Sequence, residues 1–162
     1  MPLYFAYGSN MDETKMKERC PSAKFRFVAK LRNHELCFPR KSLGRHGGVS
    51  SVGPYPPKVV WGVVYEVSEA DLNNLDSCEG YHPKRPPIEN HYNRTEMEVE
   101  RAGGKNLDCH IYIRTKQGSF TPSREHYLND LNYLIRGVEQ HQEQGIPKSY
   151  VRKLRGIKVN GD

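Results

Sequence analysis

No run of apolar residues in this chain approaches the roughly 20 that a membrane-spanning helix needs, and the start, Met1-Pro2-Leu3-Tyr4-Phe5-Ala6-Tyr7, lacks the charged flank and length of a signal peptide. These absences predict a cytoplasmic protein with no membrane partner. Cysteine is sparse and scattered. Cys20, Cys37, Cys78 and Cys109 form no Cys-x-x-Cys pair and have no histidines at finger spacing, so zinc and dithiol redox roles are unsupported and reduced, part-buried thiols are expected. The extra glycines and the lysine of dinucleotide and P-loop fingerprints are also missing. The sequence therefore implies no metal and no cofactor. Repeats, low-complexity tracts and linkers are absent too, which predicts one domain over residues 1–162.

What is present suits a folded, polar globular chain. The 162 residues are 36% hydrophobic and 27% charged, with a mean hydropathy of -0.81, enough apolar material for a core without staples. A net charge of +6 and a pI near 9.1 raise the possibility of nucleic acid as a partner. That role would need clustered Lys and Arg. They are instead spread thinly, and the densest stretch, Lys148 to Lys158, has the composition of a solvated face, so no nucleic-acid partner is expected. Oligomeric state leaves no mark in the sequence.

Along the chain, Leu3 to Tyr7 reads as a short buried strand stopped by Gly8, and a short helix runs from Asp12 to Cys20, before Pro21. Alternation of Phe25, Phe27, Ala29 and Leu31 with charged residues predicts a half-exposed strand, with a second strand near Leu36 to Phe38. Residues Arg40 to Lys58 hold four glycines and three prolines and read as a loop. Val59 to Val67 is a β-branched and aromatic run expected to be a central strand buried on both faces, with Gly62 at a bend or close backbone approach. Ser68 to Asp71 supplies a cap for a helix carrying Leu72 and Leu75, and Gly80 supplies its stop. Tyr81 to Asn90, with three prolines, cannot be regular. Tyr92 to Arg101 and Leu107 to Thr115 alternate as a hairpin joined at Gly103-Gly104. Tyr127, Leu131, Leu134, Ile135 and Val138 recur at helical spacing between Ser123 and Gln144, and a last helix covers Lys148 to Leu154. The fold class expected is α+β, a small mixed β-barrel or strongly curved sheet with flanking helices.

Two places could carry chemistry. A strand that ends in Gly8-Ser9-Asn10 and leads into a helix presents backbone N–H groups where negative charge is stabilised, although the same string is also ordinary turn and N-cap chemistry. Glu79 sits at a helix C-terminus, facing the negative end of the macrodipole, where a carboxylate is disfavoured. If Asp76 lies near, its like charge raises the proton affinity of the pair further, toward the range useful for general acid and base work. Both side chains could equally point into water.

The strings Leu3-Tyr4-Phe5-Ala6-Tyr7-Gly8-Ser9-Asn10-Met11, His46-Gly47-Gly48, Trp61-Gly62-Val63-Val64-Tyr65 and Leu72-Asn73-Asn74-Leu75-Asp76 up to Glu79-Gly80, in that order, resemble the γ-glutamylcyclotransferase family. The similarity runs from residue 3 to about Tyr112 and more faintly through Tyr127. It implies a mixed small barrel, a substrate-holding loop at Tyr7, Gly8, Ser9 and Asn10, a catalytic acid/base at Glu79, and Tyr112 lining the pocket. Glutathione-specific cyclotransferases usually carry Leu at the place of Asn10, and γ-glutamylamine enzymes Thr-Leu at Ser9-Asn10. The chain resembles the general branch, but the basic, proline-rich Tyr81 to Asn90 departs from it beside Glu79.

The implied reaction is attack of the α-amine of a γ-glutamyl group on its own γ-carbonyl carbon, releasing 5-oxoproline and an amine or amino acid. Such an enzyme would be of lyase or acyltransferase type, and would use neither cofactor nor protein nucleophile, because both reactants share one molecule. The competing readings are a non-catalytic module that binds a γ-glutamyl-like ligand or a protein in the same pocket, and a basic nucleic-acid binder using Lys84, Arg85 and the C-terminal cations.

Overall fold

Period-two alternation along the strands divides the apolar residues between the inside of a barrel and a layer of helices on its outside. A computed structural model describes residues 1–38, 50–114 and 131–157. Strands β1 (Leu3–Ala6), β2 (Lys24–Cys37), β3 (Ser51–Glu66), β4 (Tyr92–Arg101) and β5 (Asn106–Arg114) close in the order β1-β3-β2-β4-β5. β1 pairs parallel with β5, Tyr4 opposite His110, and the other neighbouring pairs are antiparallel. The barrel is therefore mixed, as expected.

Phe5, Ala29, Leu31, Val60, Val64, Val99 and Ile111 come from all five strands and form one buried cluster, the barrel interior. Their strand neighbours Tyr4, Ala6, Val28, Val63 and Tyr65 point the other way, into a second cluster with Met16, Leu72, Leu75, Leu134 and Leu154. The latter belong to helices α1 (Glu13–Arg19), α2 (Glu69–Glu79), α3 (Asn132–Gln140) and α4 (Lys148–Arg155). The run ending at Val67 is thus buried on both faces. At Gly62 a Cβ would lie 2.5 Å from the Ala6 carbonyl oxygen and 2.6 Å from the Phe5 ring, so glycine allows β1 to approach closely.

Three boundaries differ from the sequence reading. β2 is one strand rather than two, and β3 begins at Ser51, inside the stretch read as a loop. The register explains how its prolines fit: Arg32 faces Val59 but His34 faces Pro54, leaving Asn33 alone opposite residues 55–58. Asn33 takes a positive φ of 62°, and Pro56 and Pro57 sit in this irregularity, where a strand requires no ladder N–H. Residues 39–49, with His46-Gly47-Gly48, lie outside the described residues, as do Tyr127 and the first part of the expected Ser123–Gln144 helix. The described part ends at Gln140. His141 caps it with its ring nitrogen 2.8 Å from the Gly137 carbonyl, and non-helical turns follow to Gly145. The hairpin agrees with expectation, Gly103 and Gly104 both taking positive φ. The four cysteines are free, Cys78 half-buried and the others buried. Among the described residues no helix is long and apolar enough to cross a membrane.

Candidate active site

β1 delivers the chain to Tyr7 and Gly8, and Ser9–Met11 then form one turn of 3-10 helix. Several elements clamp this turn. The Tyr65 hydroxyl on β3 donates to the Asn10 carbonyl at 2.9 Å. The Asn10 side chain is engaged at both ends: Oδ1 accepts from Arg19 of α1 at 2.9 Å, and Nδ2 donates to the Tyr4 hydroxyl at 3.0 Å. Asp12, fully buried, caps α1 by accepting from the N–H groups of Thr14 and Lys15 and pairs with Arg136 of α3. Burial alone would raise the proton affinity of Asp12, but the bonds from Arg136, Lys15 and Thr14 outweigh it and hold the carboxyl below its ordinary range.

α2 places the carboxylates. Ser68 and Asp71 form a reciprocal capping box at its start. At its end Gly80 adopts the left-handed conformation (φ 66°, ψ 38°), and the Tyr81 N–H reaches the Asp76 carbonyl at 2.9 Å, the closing bond of a Schellman motif. Glu79 is thereby fixed as the last helical residue, 6% exposed, with its carboxylate 3.8 Å from the Arg19 guanidinium. Asp76 is otherwise engaged. It accepts from the Tyr112 hydroxyl at 2.6 Å and pairs with Arg94 at 3.3 Å, so it is a paired charge rather than a bare like-charge neighbour of Glu79. Burial nonetheless keeps its proton affinity above the ordinary value, against the opposing effects of Tyr112, Arg94 and His110.

These elements converge on a small, solvent-open cavity lined by Tyr4, Tyr7, Gly8, Ser9, Asn10, Ser50, Glu79, Tyr92 and Tyr112. All six residues singled out from the sequence, Tyr7, Gly8, Ser9, Asn10, Glu79 and Tyr112, are brought together on its wall. Two wall tyrosines are tied into the frame. Tyr7 donates to the Tyr112 carbonyl at 2.5 Å, and burial followed by the charge of Glu79 pushes its phenol well above its ordinary range. Among the described residues, no group of three or more His, Cys, Asp or Glu side chains is placed to hold a metal ion.

A cavity walled by one buried carboxylate and a clamped Gly-Ser-Asn turn agrees with the comparisons to known proteins. Residues 4–132 match the family model described as gamma-glutamyl cyclotransferase, AIG2-like. The chain belongs to this family. The gamma-glutamylcyclotransferase of Homo sapiens is 33% identical over 162 residues, 98% of this chain and 79% of that protein, and that of Mus musculus is 32% identical over the same shares. A solved structure of a gamma-glutamyl cyclotransferase superposes with a TM-score of 0.80 at 32% identity, covering 99% of this chain and 90% of that one.

Within this cyclotransferase fold the structure adds site residues that sequence reasoning missed. Tyr4, Ser50 and Tyr92 join the cavity wall, and Arg19 stands behind it. Tyr4 carried a signal, since it lies within the opening string Leu3 to Met11 that carries the family resemblance. Ser50 and Tyr92 carried none, since only the closed barrel brings the starts of β3 and β4 beside β1.

Gly137 is another residue the sequence did not mark. A Cβ there would lie 2.5 Å from the Met11 Cβ and 2.6 Å from both the Met11 carbonyl carbon and the Asp12 nitrogen. α3 therefore packs backbone to backbone against the turn. Gly137→Ala is expected to cost about 1–3 kcal/mol by overpacking and to lower catalytic efficiency by displacing Ser9–Met11. Thermal melts and kcat/KM check this; a variant with unchanged values of both would separate α3 from the site.

Proposed function

We propose that this chain is a γ-glutamylcyclotransferase that releases 5-oxoproline and a free amine or amino acid, with Glu79 moving the protons. The observation that carries the reading is that Glu79 and the Tyr7–Asn10 segment line one small cavity in a chain of this family. We read residues 1–162 as one domain and the protein as cytoplasmic, with a γ-glutamyl small molecule as partner and neither nucleic acid nor membrane as a second one.

The chemistry needs few parts. The γ-glutamyl α-amine is protonated in solution, so a base must take a proton before nitrogen can attack the γ-carbonyl carbon. Attack forms the C–N bond of a five-membered ring, places the carbonyl π electrons on oxygen and leaves the ring nitrogen with a second proton, which it must also give up. Collapse reforms the carbonyl and breaks the bond to the leaving nitrogen, which must gain a proton. A single carboxyl can do both, as base and then as acid. Burial and the helix C-terminus favour the protonated form of Glu79, whereas Arg19 favours the ionised form. Because nucleophile and electrophile are joined, holding the folded-back conformer supplies much of the rate gain and no cofactor is needed. This is acyl transfer within one molecule with elimination of an amine, of lyase or acyltransferase type.

Gly8, Ser9 and Asn10 supply backbone N–H groups at the start of the 3-10 turn, suited to the substrate α-carboxylate. Tyr7 and Tyr112, whose hydroxyls are already bonded within the protein, shape the walls that fold the substrate back. The test is to incubate the purified protein with a panel of γ-glutamyl amino acids and γ-glutamyl amines and to quantify 5-oxoproline. Product from at least one member is expected; a folded protein that forms none with any member would instead support a binding module.

A further inference from the structure

The hydroxyl protons of the cavity's tyrosines are mostly committed. Tyr7 donates to the Tyr112 carbonyl, Tyr112 to Asp76, and Tyr92 to the Ser50 carbonyl at 2.9 Å. Tyr4 differs in kind: its oxygen accepts a hydrogen bond from Asn10 Nδ2, and among the described residues its own proton has no acceptor. The side chain is 5% exposed and lines the cavity together with Glu79. A buried phenol whose acceptor side is filled and whose donor side has no protein partner is directed toward a ligand.

We propose that Tyr4 is a further catalytic residue, its hydroxyl donating a hydrogen bond to the γ-carbonyl oxygen of the substrate as that oxygen becomes an oxyanion. The inference rests on the cyclotransferase reading of the same cavity. Glu79 must work at the attacking and departing nitrogens, and both nitrogens are bonded to the carbon that carries this oxygen in the tetrahedral intermediate. A donor sharing the cavity with Glu79 is therefore close to where the charge develops. Tyr4 acts as a hydrogen-bond donor and keeps its proton: burial, and then the negative charge of Glu79, raise its proton affinity far above that of an ordinary phenol, so it stays neutral throughout. Asn10 polarises it, because a hydrogen bond accepted by the phenol oxygen makes its own O–H a stronger donor. The division of labour then follows. Tyr4 takes the oxyanion and the amides of the Gly8–Asn10 segment take the α-carboxylate.

Tyr4→Phe retains the ring contacts with Tyr65 and Tyr112 and removes only the hydroxyl. The expected result is a fall in kcat of about 10²–10³-fold with KM changed little, since the interaction belongs to the transition state. Losing the acceptor for Asn10 is a structural alternative, and a double-variant cycle separates the two. In an Asn10→Leu background, where that bond is already gone, adding Tyr4→Phe should still lower kcat by tenfold or more; no further loss overturns the assignment. Asn10→Asp, which preserves an acceptor for Arg19, places a carboxylate where it captures the Tyr4 proton. It should lower kcat by itself and leave little for Tyr4→Phe to remove, and wild-type kcat in Asn10→Asp counts against the proposal. A wild-type protein that releases no 5-oxoproline sinks this inference together with the cyclotransferase reading. An active wild type with Tyr4→Phe at full kcat sinks this inference alone.

Discussion

Glu79→Gln is expected to reduce 5-oxoproline release by about 10²–10⁴-fold, the range that general acid–base groups contribute, while the protein still folds and still binds its γ-glutamyl substrate. Glutamine has the length and hydrogen-bonding reach of glutamate but cannot take the proton from the α-ammonium group or return one to the leaving nitrogen. The fold should tolerate the change. Glu79 is held at the end of α2 by backbone bonds around Gly80, and these do not depend on the carboxylate. The substitution leaves Arg19 with a neutral partner, and Arg19 keeps its bond to Asn10, so the turn should remain in place. Titration with substrate, followed by single-turnover measurement of 5-oxoproline, separates binding from chemistry. Turnover within a few-fold of the parent would remove Glu79 from the mechanism, whereas loss of binding would make it a substrate ligand instead.

The way Glu79 is presented shows which parts of this site a sequence can reveal. Its helix announces itself at both ends, because a capping box and a left-handed glycine are local chemistry, readable within a few residues. The hairpin at Gly103-Gly104 and the doubly buried run through Val63 and Val64 are local in the same sense. The loop at Gly8-Ser9-Asn10 was legible through its likeness to a family more than through physics, since the string alone is also a common turn.

Everything that depends on closure of the barrel was hidden. Tyr92 and Ser50 face Glu79 only because β3 and β4 start at the same end of the barrel at which β1 stops, and Gly137 matters only because α3 packs on Met11. Asp76 illustrates the same limit. Three residues from Glu79 on one helix, it looked like a like-charge neighbour, but Tyr112 and Arg94, both from the distant hairpin, claim its carboxylate. Proline also misled. Pro54, Pro56 and Pro57 argued for a loop, but Pro54 pairs in register opposite His34, and an irregular register opposite Asn33 leaves the ladder no demand for the missing N–H groups of Pro56 and Pro57.

Arg19→Met is expected to move the acid limb of the kcat/KM profile to higher pH, the direction in which losing a neighbouring cation moves a carboxyl group. The sign follows from the ion pair. Arg19 lies 3.8 Å from the Glu79 carboxylate and favours its ionised form, so removing the guanidinium makes Glu79 harder to ionise, and a base that must be ionised in the free enzyme is lost at a higher pH. At a pH below the new limb the variant should lag the parent by about tenfold per unit of displacement, and above it the gap should narrow. It should not close, because Asn10 Oδ1 also loses its donor from Arg19, and a buried acceptor without a partner costs about 1–3 kcal/mol. Arg19→Lys distinguishes the two effects, since it retains the charge near Glu79 but not the planar fork that reaches Asn10 and Glu79 together. Its acid limb should stay near that of the parent while its stability falls. An Arg19→Met profile that keeps the parental limb, with rate lost equally at every pH, would show that Arg19 serves the turn and leaves the proton chemistry of Glu79 untouched.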